Sequence, residues 1–160
     1  KLNQDGLIGE VTKTGAQLIS FDFEYSGELN EFILALSCQA VALSARSSQT
    51  RQVTEELYRN LKAMAEAQDD EAYFDADYRF HKAFFDYCGN RFLKETYKRY
   101  NLIRFLLMRH AVRTLEHRTS SIRQHRLITE ADEDGDYKLA EKLTEEHYRY
   151  GVHLIDGEPD

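Results

Sequence analysis

The chain has 160 residues, of which 42% are hydrophobic and 31% charged, which suits one soluble globular domain and excludes a disordered polymer. Twenty-one Lys and Arg against 28 Asp and Glu leave a formal charge of −7, so the chain itself lacks the clustered positive charge that grips a phosphate backbone. No apolar run reaches bilayer length, no secretion signal opens the chain, and Cys38 and Cys88 make no disulfide framework, so a cytoplasmic protein is expected. The first residue is Lys1, which points to a fragment or a processed form.

Apolar spacing predicts helices almost throughout, since the single proline is Pro159. Asp5–Ser20 reads as a connecting helix. Leu29, Phe32, Ile33, Leu36, Ala40 and Leu43 form one stripe, predicting a helix over Glu28–Ala45. Ser47–Thr50 reads as a turn with an N-cap, and Val53, Leu57, Leu61 and Met64 give the second stripe. Asp69 and Asp70 precede a third, with Phe74, Tyr78, His81, Phe85 and Cys88. Gly89-Asn90 ends it with residues that tolerate the left-handed conformation. Phe92, Leu93, Tyr97, Tyr100, Ile103, Leu107 and Ala111 mark a long fourth helix. Ser120 or Ser121 is placed to cap a fifth, with Ile122, His125 and Ile128 inward. After the turn Asp134-Gly135-Asp136, Leu139, Ala140, Leu143, His147, Tyr150 and Leu154 line the sixth. The expected fold is all-α, an antiparallel bundle of about six to seven helices.

Three of the six histidines, His81, His125 and His147, fall on the apolar stripes of three different helices. A single histidine there is usually a hydrogen-bonded core residue. Three together each need partners for their ring nitrogens, and one shared cation satisfies all of them. Asp77 precedes His81 by four residues and projects from the same helix face, amid Phe74, Tyr78, Phe80, Phe84 and Phe85. Its alternative is a plain Asp–His hydrogen bond. Three imidazoles and a carboxylate suit zinc first, and also nickel, manganese or iron.

The segment Asp77-Tyr78-Arg79-Phe80-His81 followed by Gly89-Asn90 resembles the D-x-x-F-H…G-N signature of the FCD domain, the effector-binding domain of FadR-type regulators in the GntR family. Ser121–Ile128 resembles the family's S-l-x-E-H-x-x-I segment. Gly135-Asp136, Ala140 and His147 resemble its G-D-x-x-x-A…H ending, with His147 22 positions beyond His125. The likeness runs from about Glu28 to Leu154. It implies Asp77, His81, His125 and His147 as ligands of a divalent metal in a cavity inside the bundle, with a small organic acid bound beside it. Arg104 is placed to hold an anionic effector, and Tyr78, Tyr100 and Asn101 to line the cavity. It further implies a homodimer, no membrane partner, and operator DNA contacted only through an N-terminal winged helix-turn-helix that this chain lacks. Residues 1–26 then read as a linker, 27–156 as the domain and 157–160 as a tail. Two departures stand out: Ile33 and Ser37 occupy the first-helix places where many members carry Arg and Glu, and Gln124 stands where Glu commonly precedes the histidine.

A different function class fits the same ligands. Three histidines and a carboxylate can leave open coordination positions for a water nucleophile, as in a metal-dependent hydrolase, with Glu130, Glu145 or Glu146 as the nearest general bases in sequence. The family resemblance favours the sensor.

Overall fold

The computed structural model describes residues 8–12, 15–18, 23–111 and 115–156, with side chains over 25–105 and 116–151. Six helices form the domain: α1 (Phe23–Ser44), α2 (Thr50–Glu66), α3 (Asp70–Tyr87), α4 (Arg91–Ala111), α5 (Leu115–Glu133) and α6 (Tyr137–Asp156). The all-helical bundle expected from the apolar stripes is therefore the fold of the domain. No helix among the described residues is long and apolar enough to cross a membrane.

One expectation fails ahead of the bundle. Where a connecting helix was expected over Asp5–Ser20, the described residues form an antiparallel hairpin of β1 (Ile8–Thr12) and β2 (Gly15–Leu18). Its register pairs Thr12 with Gly15 and Ile8 with Leu18, with an irregularity between Ile8 and Glu10. The β-branched Ile8, Val11 and Thr12 and the glycines at 9 and 15 all weaken a helix, and the two-residue gap suits a tight reversal. Helix α1 also starts at Phe23, five residues ahead of Glu28.

The helix boundaries follow local chemistry. Asp69 caps α3 by accepting from Ala72 N at 2.8 Å, and two acidic residues, Asp70 and Glu71, sit in its positive first turn. Gly89 takes φ +70 and lets the chain reverse, after which Asn90 Oδ1 caps α4 by accepting from the backbone N–H groups of Phe92 and Leu93. Gly135, at φ +73, does the same before α6, where Asp136 Oδ1 accepts from Leu139 N. Two expected caps differ. Gln49 occupies the N-cap of α2 with no side-chain bond, while Ser47 Oγ accepts from Gln49 N inside the turn. Ser120 and Ser121 lie within α5, which begins at Leu115; Arg118 in its first turns pairs with Asp70 and covers the Tyr73 ring.

Helix α1 packs on α3, α4 and α6; α2 packs on α3 and α5; α5 packs on α6. The shared core holds Ile33, Val41, Leu57, Phe80, Phe85, Tyr97, Ile103, Ile128 and Tyr148. Some stripe members face out instead: Phe32 is 41% exposed and Phe92 71%. The inner face of α1 carries polar residues in their place. Ser37 Oγ donates to Tyr148 Oη at 3.0 Å, and Asn30 Nδ2 donates to the Tyr148 carbonyl at 3.1 Å. These bonds tie α1 to α6 through groups that would otherwise be buried without partners.

Candidate metal centre

Helix α3 brings Asp77 and His81 to the bundle interior one turn apart; α5 supplies His125 and α6 supplies His147. One donor atom from each of the four lies within 4.8 Å of the others. The Nε2 atoms of His81 and His125 are 3.1 Å apart, and Asp77 Oδ1 lies 3.5 Å from His125 Nε2 and 3.9 Å from His81 Nε2. The rings of His81 and His147 stack with centroids 5.1 Å apart, and those of His125 and His147 are 4.4 Å apart.

The 3.1 Å and 3.5 Å separations match ligands of a common ion. The 3.9 Å pair and the 4.8 Å outer limit are wider than adjacent ligands of one ion, so binding an ion would draw Asp77 and the rings inward. With a metal–nitrogen bond near 2.05 Å, two imidazole nitrogens sit about 2.9 Å apart at an octahedral angle and about 3.4 Å at a tetrahedral one. The protonation states fit as well. Burial, then the neighbouring histidines and Arg104, hold His81 well below its ordinary value, and burial, His147 and Arg104 do the same to His125. Burial and Arg104 bring His147 down to about 3. All three imidazoles are thus neutral, the form that ligates. Burial pushes Asp77 up to about 6, against the pull of Arg104, although its side chain as a whole keeps 19% exposure.

Neutral imidazoles this close constrain each other's tautomers. Without an ion, one of the 3.1 Å pair must donate from Nε2 and the other accept. His125 Nδ1 is buried without a hydrogen-bond partner. A proton on that atom would be an unpaired buried donor, so His125 is the favoured Nε2 donor of the pair. A shared ion requires both Nε2 lone pairs and so places the His125 proton on Nδ1.

The four side chains therefore form a buried cluster on a helical bundle that could hold a metal ion. Residues 28–150 match the family model of the FCD domain. The chain belongs to the FCD domain family. Solved structures with the same fold include E. coli McbR/YncC, 20% identical over 98% of this chain and 80% of that one, with a TM-score of 0.83. A GntR-family transcriptional regulator from Pseudomonas syringae pv. tomato str. DC3000 is 16% identical, covers 98% of this chain and 65% of its own, and has a TM-score of 0.70. The Zn2+-bound FCD domain of TM0439 is 22% identical over 87% of this chain and 97% of that one, with a TM-score of 0.64. No curated protein sequence matches the chain. The solved structures that share this fold thus include a GntR-family regulator and an isolated FCD domain, the latter Zn2+-bound.

The remaining sequence-selected residues of this FCD domain fall in different places. Arg104 on α4 is 5% exposed; its Nε donates to Asn30 Oδ1 at 3.3 Å, and its guanidinium lies 4.5 Å over the Tyr148 ring. No carboxylate lies within 4.0 Å of it among the described residues, yet its charge reaches Asp77 and all three histidines. Asn101 is buried one turn away with Oδ1 unpartnered. Asn101 and Tyr78 also line a surface cavity of about 790 Å³ between α3 and α4, with Asp69, Asp75, Lys98 and Leu102 among its walls. Tyr78 stacks on Tyr97, whereas Tyr100 packs edge-on against Phe32 on α1. Of the glutamates considered as bases, Glu130 is exposed, Glu145 pairs with Arg149, and Glu146 pairs with Lys142. The side chains of His110 and His153 lie outside the described residues.

Of two further neighbours of the centre, Tyr148 was not singled out from sequence, and Gln124 was noted only as a departure from the family pattern. Tyr148, fully buried, has its ring 5.2 Å from that of His81, and Gln124 Oε1 accepts from His147 Nδ1 at 2.8 Å. Only the polar Asn30 and Ser37 on an otherwise apolar stripe signal that something hydrogen-bonding faces α1.

Proposed function

We propose that this domain is the sensing half of a GntR-type regulator, in which Asp77, His81, His125 and His147 hold one divalent ion, zinc first, and a small carboxylate metabolite coordinates that ion. The observation that carries the reading is the convergence of four donor atoms within 4.8 Å at the buried junction of three helices. A divalent ion with one carboxylate and three neutral imidazoles leaves a charge of 2 − 1 = +1, in a setting walled by aromatic rings. The ion supplies a Lewis-acid position where an anionic oxygen replaces water. Arg104, buried and without a carboxylate within 4.0 Å among the described residues, adds a second positive charge, and Asn101 adds an amide.

With no Arg at position 33, more of the anchoring falls to the metal. The working unit is a two-fold homodimer, with residues 1–26 leading from a winged helix-turn-helix that makes the operator contact. The ligand then acts by favouring one of two arrangements of the regulator. Calorimetry with a panel of di- and hydroxy-carboxylates on the zinc-loaded and the chelated domain tests the site. Affinity is expected to collapse on chelation and to weaken only partly in Arg104→Ala. Equal affinity in both forms would refute the coordinated anion. Hydrolysis of esters by the zinc-loaded domain would instead favour the metalloenzyme.

A further inference from the structure

The contact between Gln124 and His147 joins α5 to α6 at the edge of the centre, and its chemistry is unusual for a metal-bound histidine. Such a ring is commonly fixed when its outer N–H meets a carboxylate, a backbone carbonyl or water. A carboxylate there only accepts, so it holds the proton on Nδ1 and leaves the Nε2 lone pair for the metal. A glutamine amide offers two faces. Oε1 accepts from Nδ1–H, as it does here at 2.8 Å. After a half-turn the amide presents Nε2–H instead, which donates to a bare Nδ1 and moves the ring proton to the inner nitrogen, where it blocks coordination.

The surroundings allow that turn. Gln124 is half-buried and, with His147, lines an open cavity of about 350 Å³ on the α5–α6 seam, alongside Leu127, Leu143 and Glu146. Room and water are therefore available at the amide, unlike at His125, which is fully buried. In the ion-free centre the inner side of His147 faces the donor atoms of Asp77, His81 and His125, all four lying within 4.8 Å of one another.

We propose that Gln124 is a positioning residue that lets His147 exist in two tautomers, one that ligates and one that does not, and so makes the metal exchangeable through the α5–α6 seam. The inference rests on the metal reading above. The non-ligating tautomer is stabilised by the flipped amide and competes with the metal; a carboxylate at 124 removes that competing state.

The test is zinc binding by chelator competition on the wild-type domain, Gln124→Glu and Gln124→Leu, with zinc release followed by a chromogenic chelator. Gln124→Leu is expected to weaken zinc by about 10- to 100-fold, the usual effect of losing an outer partner. Gln124→Glu is expected to bind at least as tightly as wild type and release zinc at least tenfold more slowly. Nitrogen-15 spectra of the His147 ring should show Nε2–H in part of the chelated wild-type population, and only Nδ1–H in Gln124→Glu. Melting of the chelated Gln124→Leu domain reports whether the fold itself is intact. Zinc affinity within threefold of wild type in a folded Gln124→Leu, equal weakening by both substitutions, or a single Nδ1–H tautomer in chelated wild type would overturn the proposal. A wild-type domain that binds no zinc overturns the metal reading first and this inference with it.

Discussion

The three depressed histidines make the ion-free domain acid-labile, and the size of the effect follows from their burial. Each imidazole has an ordinary value of 6.5 and is held well below it, down to about 3 for His147. An unfolded chain takes up protons on all three as pH falls below 6.5, while the folded chain refuses them, so stability is lost in that direction. Between pH 8 and pH 5 each contributes a loss of about 2 kcal/mol. Asp77 works the other way. Its folded value of about 6 lies above the ordinary 3.8, so the folded state gains a proton first and recovers about 1 kcal/mol over the same range. The net loss is roughly 5 kcal/mol, as large as the whole stability of a weak domain. Urea unfolding with a chelator present, at pH 8 and pH 5, measures it directly. His147→Gln removes one imidazole and should shrink the loss by about 2 kcal/mol. Ion-free stability that differs by less than about 1 kcal/mol between the two pH values would refute the burial argument.

Zinc at a hundredfold excess over its dissociation constant should stabilise the domain by about 2.7 kcal/mol and raise Tm by about 5 to 11 °C. Scanning calorimetry reads the shift, a chelator should reverse it, and His125→Ala should abolish it. Gly89→Ala meets no atom within 4 Å but must adopt φ +70, so chemical denaturation should show a loss of about 1 kcal/mol from backbone strain alone, and less for Gly89→Asn. Asp69→Ala removes the cap bond to Ala72 N and should cost about 1 kcal/mol by the same measurement.

What sequence periodicity could reveal was set by where side-chain chemistry is local. Asp77 and His81 share one helix, and four-residue spacing alone places them on one face. The turns at Gly89 and Gly135 were legible because each pairs a glycine with a capping Asn or Asp. Contacts between helices were not. Gln124 and His147 meet across 23 residues, and although each was noted separately, nothing in either segment shows that they touch. Phe32 fitted the apolar stripe of α1, yet it is 41% exposed, and the inner positions include Asn30 and Ser37, which hydrogen-bond to Tyr148. The hairpin escaped because a helix-like scatter of apolar residues over so short a stretch carries less information than its β-branched residues and glycines.

Metal and anion should also bind as one coupled system, and the charges of the centre show why. Without the ion, an ionised Asp77 and Arg104 cancel, and the interior offers an incoming carboxylate little net attraction. With the ion, the same groups sum to 2 − 1 + 1 = +2, so most of the attraction for an anion appears only when metal is present. Linkage then requires the reverse: a carboxylate that gains a given factor from zinc must tighten zinc by that same factor. A tenfold effect corresponds to about 1.4 kcal/mol on either leg. The check is to measure all four legs, with zinc affinity by chelator competition in the presence and absence of a saturating acid. An acid that binds the zinc-loaded domain strongly and leaves zinc affinity unchanged would place its site away from the ion. Arg104→Met, which keeps the stem and removes the charge, should lower acid affinity on both the ion-free and the loaded legs by similar factors and leave the coupling nearly intact, because Arg104 contributes its charge in either state.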